Sequence, residues 1–411
     1  MFRQIVVGLF ILMAGVAVAQ EGTTSPYSFY GIGTLKFRGT VENKLMGGIG
    51  VFSDSIHLNL QNPASYATLG LINFSVGGSF NVSTQKNETE SQNTSATTLD
   101  YIAMGIPMGK FGLGFGVIPY SSVGYDFYSE VPDGLSQYTG SGGLNRAYIS
   151  LGYQATPELS VGIDANYNFG KIENTTTTQK EIELATQSYN RSEISGFSFN
   201  FGAIYKKMIS ENLELTGSAT FSPGTSFTSE NSRRISTVQI IPAGIFPVDE
   251  RDVLVADTDF TFPSQFSIGA GIGKPKFWAI GGEYTNLKNS NFTNRSFSID
   301  NVIYKNASKF SLGGYYIPNY NSFGNYIKRV VYRAGARYEQ TGLNVNGQDI
   351  NEFGISFGVG LPVGRLFSNM NLGIEIGSRG TTDFGLIKEN FFNTFLSFSL
   401  NDRWFEKRLY D

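Results

Sequence analysis

From Leu71 to the C-terminus the chain repeats one theme, apolar residues at every second position interleaved with small or polar ones. A period of two marks strands whose two faces meet different surroundings. Fourteen segments carry it: Leu71–Thr84, Thr98–Met108, Phe111–Phe127, Leu144–Ala155, Leu159–Asn174, Tyr189–Lys207, Asn212–Glu230, Phe262–Lys274, Lys276–Ser290, Asn306–Ile317, Lys328–Leu343, Ile350–Pro362, Met370–Gly380 and Asn390–Phe405. Short turns at Gly109-Lys110, Thr156-Pro157-Glu158, Met208 to Glu211 and Pro275 alternate with the longer polar stretches Gln85 to Thr97, Tyr128 to Gly143, Thr175 to Ser188 and Asn231 to Thr261. An even number of long strands in this rhythm predicts an all-β fold, a 14-stranded antiparallel transmembrane β-barrel with the short turns and both termini periplasmic and long loops outward. The rhythm weakens late, where Pro318 to Ile327 should be a short turn yet is longer than the outward Asn344 to Asp349. A secreted β-sandwich would also alternate, but seldom with this rhythm and no long crossovers between two sheets.

The phase of the alternation sorts the two faces. Trp278, Ile280, Gly282 and Tyr284 alternate with Phe277, Ala279, Gly281 and Glu283, and Leu372, Ile374 and Ile376 with Gly373, Glu375 and Gly377. The more apolar sets should face lipid. By the same phase Arg146, Asp164, Glu283, Arg333, Arg337 and Glu375 point into the lumen, since a basic residue at the lipid midplane costs about 2–4 kcal/mol. In the last strand Phe392, Thr394, Leu396, Phe398 and Leu400 face outward, followed by Trp404 and Phe405. The pairs Gly77-Gly78, Gly281-Gly282 and Gly313-Gly314 sit inside strands, where glycine either gives a neighbour room or lets the wall kink and open sideways.

The segment Ser25 to Tyr66 breaks the pattern: it has turns, glycines and scattered apolar residues without sustained alternation. Gly31, Gly33, Gly47, Gly48 and Gly50 permit close backbone packing, and Asn62-Pro63-Ala64 signals a turn just before the first strand. We read residues 20–70 as a hatch inside a barrel formed by 71–411; an extension packed on the outside is the other arrangement the segment allows. Ahead of it, Arg3, an apolar run from Ile5 to Val18 and Ala17-Val18-Ala19 have the form of a secretory signal peptide over residues 1–19. Position 20 is Gln rather than Cys, which argues against a lipid anchor, and no later stretch is apolar for long enough to form a spanning helix.

Composition narrows the function. The chain has no cysteine and a single histidine, which excludes disulfides, multi-histidine metal centres and thiol nucleophiles. A net charge of −3 argues against a nucleic-acid partner. The 49 Gly, 34 Phe and 22 Tyr suit aromatic girdles and a crowded lumen. His57, among Asp54, Ser55 and Asn59, is the only base available to a Ser-His-Asp arrangement, and a hydrogen-bonded hatch histidine is the more frequent case. Asp249-Glu250-Arg251-Asp252 with Asp257-Thr258-Asp259 could hold a divalent ion, but solvated loop acids account for them more simply. Neither an enzyme nor a metal or other cofactor is expected.

The hatch and the barrel together resemble the FadL-type family of outer-membrane channels for hydrophobic compounds. The resemblance rests on Met46-Gly47-Gly48-Ile49-Gly50-Val51, on Asn59 to Ala64 ending in Asn62-Pro63-Ala64, and on Phe262-Pro263-Ser264 opening a mid-barrel strand. Ser25-Pro26-Tyr27-Ser28 with Gly31-Ile32-Gly33, and Leu400-Asn401-Asp402-Arg403-Trp404-Phe405, look like the Bacteroidetes branch. The resemblance implies a Gram-negative outer-membrane location, in contact with lipid, and passive uptake of hydrophobic small molecules such as fatty acids through a hatch-gated lumen. It equally allows a non-transporting subunit or pore-sealing plug of the type IX protein secretion translocon. Gly47, Gly48, Gly50, Asn62, Pro63 and Ala64 are then the hatch motif.

Overall fold

The computed structural model describes residues 22–131, 134–180, 184–291, 301–322, 324–364 and 368–403. The leader expected over residues 1–19 and the terminal Trp404 and Phe405 lie outside these. The wall strands are β1 (Ile72–Lys86), β2 (Ser91–Met108), β3 (Phe111–Val131), β4 (Gly134–Gln154), β5 (Leu159–Lys180) and β6 (Leu184–Ser210). They continue with β7 (Leu213–Ser222 and Thr225–Ile241), β8 (Gly244–Val253, Thr258–Phe262 and Gln265–Lys274), β9 (Trp278–Leu287) and β10 (Ala307–Tyr316). The last four are β11 (Val331–Val345), β12 (Gln348–Pro362), β13 (Asn369–Arg379) and β14 (Lys388–Asp402). Each pairs antiparallel with its neighbour, and β14 returns to pair with β1 from Lys388↔Lys86 to Asp402↔Ile72, closing a 14-strand barrel.

Side chains divide as the alternation dictates. Ile149, Phe197, Ile280, Leu312 and Ile376 are half or more exposed on the outside, whereas Asn166, Asn168, Ser356 and Asn371 are buried on the inside. The strands at one end run well past the expected boundaries. Gln85–Thr97, Tyr128–Gly143 and Thr175–Ser188 were expected as loops, and the strands continue through most of them. Asn231–Thr261 is likewise a hairpin, with Arg233–Ile241 paired to Gly244–Val253. Beyond the lipid band the outer face no longer calls for apolar residues, so the polar stretches lose the alternation while the ladder goes on. Two expected strands are broken at the same height, β7 at Pro223-Gly224 and β8 at Pro263-Ser264, because proline removes a ladder donor. At the other end the turns are short, except for the segment between Ile317 and Val330.

Residues 22–70 thread the lumen from the long-hairpin end to the short-turn end. Thr24 meets Thr94 at 2.8 Å and Ser25 meets Glu389 at 2.8 Å, both at the long-hairpin end. The first described residues thus sit opposite to the short-turn side where both termini were expected. Thr34–Leu35 forms a two-residue strand, and Val41–Lys44 a single helical turn whose N-cap Thr40 side chain accepts from the Asn43 amide. Asp54–His57 reaches the short-turn end, and Pro63–Thr68 turns back along β3–β6 before the chain enters β1.

Glycines in the wall decide where the hatch can sit. An added Cβ at Gly152 would stand 2.6 Å from the Ala67 amide nitrogen, and one at Gly162 2.5 Å from the Pro63 carbonyl carbon. On the opposite wall Gly313 and Gly335 leave space for the Met46–Gly47 backbone, and Gly358 and Gly373 for the Leu45 side chain. These glycines form an interrupted belt inside the barrel, at the level where the hatch crosses the lumen. Of the glycine pairs within strands, Gly77, Gly281 and Gly313 face Tyr101, Phe52 and Met46. They make room inside the barrel.

Two substitutions separate the wall from the hatch. Replacing Gly162 with Val should displace Pro63 while the strands stay paired, which single-channel recording in planar bilayers would register as new ion conductance. Replacing Ile376 with Arg should cost about 2–4 kcal/mol of stability in lipid, read from urea unfolding in vesicles.

Candidate functional site: the lumenal cavity and the wall seam

Charged side chains of β11–β14 form one connected network in the lumen. Arg337 Nε donates to Glu375 at 2.8 Å, a second Arg337 nitrogen pairs with Glu352, and Glu339 lies 3.5 Å away. Arg379 continues it, donating from Nε to Glu352 at 2.5 Å and standing 3.6 Å from Glu389. The hatch is tied in at two places, through Ser25 to Glu389 and through Lys44, whose ammonium is 3.1 Å from Glu375. Arg337, Glu352 and Glu375 are all buried, so each carries a desolvation cost that only a complete set of partners offsets.

The remaining charges expected in the lumen are also buried there. Asp164 pairs with Arg38 of the hatch and accepts from Asn200 at 2.9 Å, while Arg146 donates to Asn168 at 2.8 Å and stacks on Tyr120 at 4.3 Å. Glu283 accepts from the Gly50 amide at 2.8 Å. Arg333 donates to Asn371 at 2.9 Å, and Asn371 donates in turn to Glu42 of the hatch. In the hatch motif the Gly47 amide donates to Ser356, and Asn62 caps its own turn by accepting from the Ala64 amide at 3.0 Å while donating to Ala203 and Ser218. Pro63 and Ala64 press their backbone on Gly162. Alternation also puts Glu352, Arg379 and Glu389 on the inner face, although they were not among the expected site residues. Lys44, Arg38 and Glu42 carry no such signal, because the hatch has no period.

Between the hatch and the long-hairpin end lies a cavity of about 440 Å³. Its lining is mixed, with Ile32, Leu35, Phe37, Phe262 and Phe395 beside Lys36, Asp100, Lys309 and the Arg337 network. Phe37 projects between two ammonium groups, Lys44 at 5.1 Å and Lys309 at 5.8 Å from its ring centre. Burial pushes Lys36 down to about 8, with the Asp100 carboxylate opposing.

The wall ladder is interrupted twice beside this cavity: a short gap leaves residues 196–200 of β6 without ladder partners on β7, and a longer one forms a seam between β2 and β3. β2 and β3 pair only from Met108↔Phe111 to Ile102↔Val117, although both strands continue far beyond. Two residues further on stands Pro119, which has no N–H to offer β2, and the β3–β4 register shifts between Pro119 and Ser121. The facing glycines Gly142 and Gly143 adopt φ of 107° and 147°, values that side chains disfavour. The hatch supplies a partial substitute, since Thr34 and Leu35 pair with Ser122 and Ser121 on the β3 edge that β2 vacates. Thr34, Leu35, Ala96, Thr98, Pro119 and Tyr120 line the cavity at this seam. Pro119 within a strand was the available sign of it.

His57 is a fastening of the hatch at the short-turn end. Its Nδ1 is 2.7 Å from Asp54, and its Nε2 meets Asn369 at 3.2 Å. Burial lowers the histidine's affinity for a proton, but the Asp54 carboxylate reverses this and raises its pKa above the ordinary value. Asp54, whose side chain is half exposed, is correspondingly held below the usual carboxylate range by His57 and by the amides of Ile56 and His57. The acids of the β7–β8 hairpin are engaged with other groups: Arg234 bonds Asp252 at 2.8 Å and lies 3.9 Å from Glu250, and Thr228 bonds Asp259 at 3.0 Å. Among the described residues no group of three His, Cys, Asp or Glu is placed to hold a metal ion.

A closed fourteen-strand antiparallel barrel is the fold of FadL-type outer-membrane channels. The solved structures it resembles include the CymD monoaromatic hydrocarbon channel, at 13% identity and TM-score 0.58, covering 91% of this chain and 99% of that one. The Pseudomonas putida toluene transporter TodX matches at 14% identity and TM-score 0.58, over 91% and 100% of the two chains. The Ralstonia pickettii toluene transporter TbuX matches at 16% and 0.57, over 89% and 99%. At such identities the likeness is one of fold. No curated protein matches the sequence. The chain belongs to the BamG family, whose model it matches over residues 1–411.

Replacing Arg337 with Met should destabilise the barrel by about 3–5 kcal/mol, since Glu352 and Glu375 would stay buried without their main cation; urea unfolding in vesicles measures it. The His57–Asp54 pair carries a pH dependence of definite sign. The raised histidine pKa contributes stability that is complete below the unfolded value of about 6.5 and is lost as pH rises through the folded one. The lowered Asp54 pKa contributes stability above about 3.8 that is lost as pH falls through its folded value. Thermal midpoints taken from pH 6 to 9 should therefore fall in the wild type and fall less in His57→Gln.

Proposed function

We propose that this chain is an outer-membrane conduit for hydrophobic small molecules, fatty acids among the candidates, taking ligand into the lumenal cavity and passing it through the β2–β3 seam into the bilayer. One observation carries this reading: Leu35, Ala96, Pro119 and Tyr120 belong at once to the cavity lining and to the interval where the β2–β3 ladder is broken and only partly bridged by the hatch. An exit through the wall spares an apolar ligand the aqueous step that passage past the hatch would impose. The solved structures that share the fold are a monoaromatic hydrocarbon channel and toluene transporters, whose ligands are of this kind. The mixed lining of the cavity suits an amphipathic solute better than a bare hydrocarbon.

A second reading has its own observation. The lower hatch is locked to the wall by backbone seated on glycine and by the buried Lys44–Glu375 and Arg38–Asp164 pairs, which is what a permanently closed barrel needs. Such a barrel would serve as a subunit or seal of a protein-export machine, a type IX translocon among them.

Ala96→Trp places bulk in the seam without touching the hatch lock. In proteoliposomes it should slow transfer of a fluorescent fatty acid several-fold while leaving the barrel folded. Unchanged transfer in this variant, together with entry of a large antibiotic into cells lacking the protein, would replace the conduit with the seal.

A further inference from the structure

The outer face of β8–β12 carries a depression that the lumen does not explain. Cross-strand pairing sets four outward rows above the short-turn rim. The lowest is Lys274, Trp278, Tyr316 and Tyr332; next come Ile272, Ile280, Gly314 and Ala334; above these are Ala270, Gly282, Leu312 and Ala336; and the top row is Ile268, Tyr284, Phe310 and Tyr338. Ala270, Gly282 and Ala336 floor a groove of about 650 Å³, walled by Ile268, Tyr284, Phe310, Leu312, Tyr338 and, on β12, Phe353. The groove is apolar and faces where lipid must lie.

The rim directly below it is cationic. Lys274 lies 5.6 Å over Phe277, Lys276 5.5 Å over Tyr320, and Arg329 5.4 Å over Tyr326, and Lys328 is exposed beside Arg329. Among the described residues no carboxylate comes within ion-pair distance of any of these four, and Arg329 Nε is buried without a hydrogen-bond partner. The long segment after β10 is folded onto the β8–β9 turn, with the Ile317 amide donating to Phe277 at 2.6 Å and the Asn319 amide to Lys328 at 2.7 Å. Unpaired ammonium and guanidinium groups at a bilayer edge attract anionic headgroups, and their aromatic supports prefer the same depth. The groove floor begins four residues up the strand from Trp278, about 13 Å at 3.3 Å per residue, which stays within one leaflet of a hydrocarbon core about 30 Å thick.

We propose that this face is a binding site for an anionic phospholipid of the leaflet at the short-turn end, its phosphate held by Lys276, Lys328 and Arg329 and an acyl chain laid in the groove. The site is independent of whether the lumen conducts. It accounts for the length of the segment between Ile317 and Val330, which a plain turn at this end would not need.

The chain has two tryptophans, so Trp404→Phe leaves Trp278 as the reporter on the rim. In phosphatidylcholine vesicles, phosphatidylglycerol brominated on its acyl chain should quench Trp278 at a several-fold lower mole fraction than brominated phosphatidylcholine. Combining Lys276→Gln, Lys328→Gln and Arg329→Gln should erase that preference, and Ala336→Leu, which fills the groove, should weaken it while the barrel keeps its folded mobility on unheated gels. Equal quenching by the two lipids would overturn the site. So would a preference that survives the triple substitution, or one abolished by millimolar inorganic phosphate, which would assign the recognition to phosphate in solution.

Discussion

A fourteen-strand barrel encloses more volume than its inward side chains can fill, and the contact that solves this problem is main chain against main chain. Residues 44–51 and 62–67 lie so close to the wall that only glycine fits opposite them at Gly152, Gly162, Gly313 and Gly335. Such seating is short-ranged and unforgiving of bulk, and it fixes the height and rotation of the hatch. The other lumenal features depend on that placement. Lys44 can meet Glu375, Arg38 can meet Asp164, and Gly50 can donate to Glu283 only because the hatch backbone is held in one position. The cavity is the volume the hatch leaves unfilled toward the long hairpins.

The hatch has two differently held parts. Below about Gly39 in its descent, backbone seating and buried ion pairs fasten it; above, apolar packing holds it, with Tyr27 and Ile32 buried and Phe29 edge-on to Tyr125, together with hydrogen bonds such as Ser28 to the Gly124 carbonyl and the two-residue strand at Thr34–Leu35. The seam lies beside the upper part, at Thr34–Leu35. The seam thus stands at a different height from the backbone that is seated on glycine.

What the sequence disclosed follows from where two environments differ across a strand. Within the lipid band Ile374 and Glu375 meet opposite worlds, so the fold class, the strand count and the inward phase of Arg337 and Glu375 can be read directly. Past that band the run Thr175 to Thr178 is polar on both faces, and the same strand becomes indistinguishable from a loop. The hatch was visible as a break in periodicity, but its partners were not, because nothing local in Lys44 or Arg38 points to β13 or β5. The seam fell between these cases. Pro119 announces a missing ladder bond, yet only the pairing shows that the loss falls on the β2 side.

The glycine belt also constrains how the molecule can be made. Leu45 and Tyr66 are fully enclosed between hatch and wall, and the strands on either side of them are continuous around the ring once β14 has met β1. Threading a segment with such side chains into a barrel already closed would mean driving them past its inward side chains. With the hatch, first of these elements in the chain, in place before the last strand zips to the first, that passage is avoided and the hatch serves as a mandrel around which the sheet is wound. Order of assembly is thereby written into residues that, in the finished protein, look like mere filling.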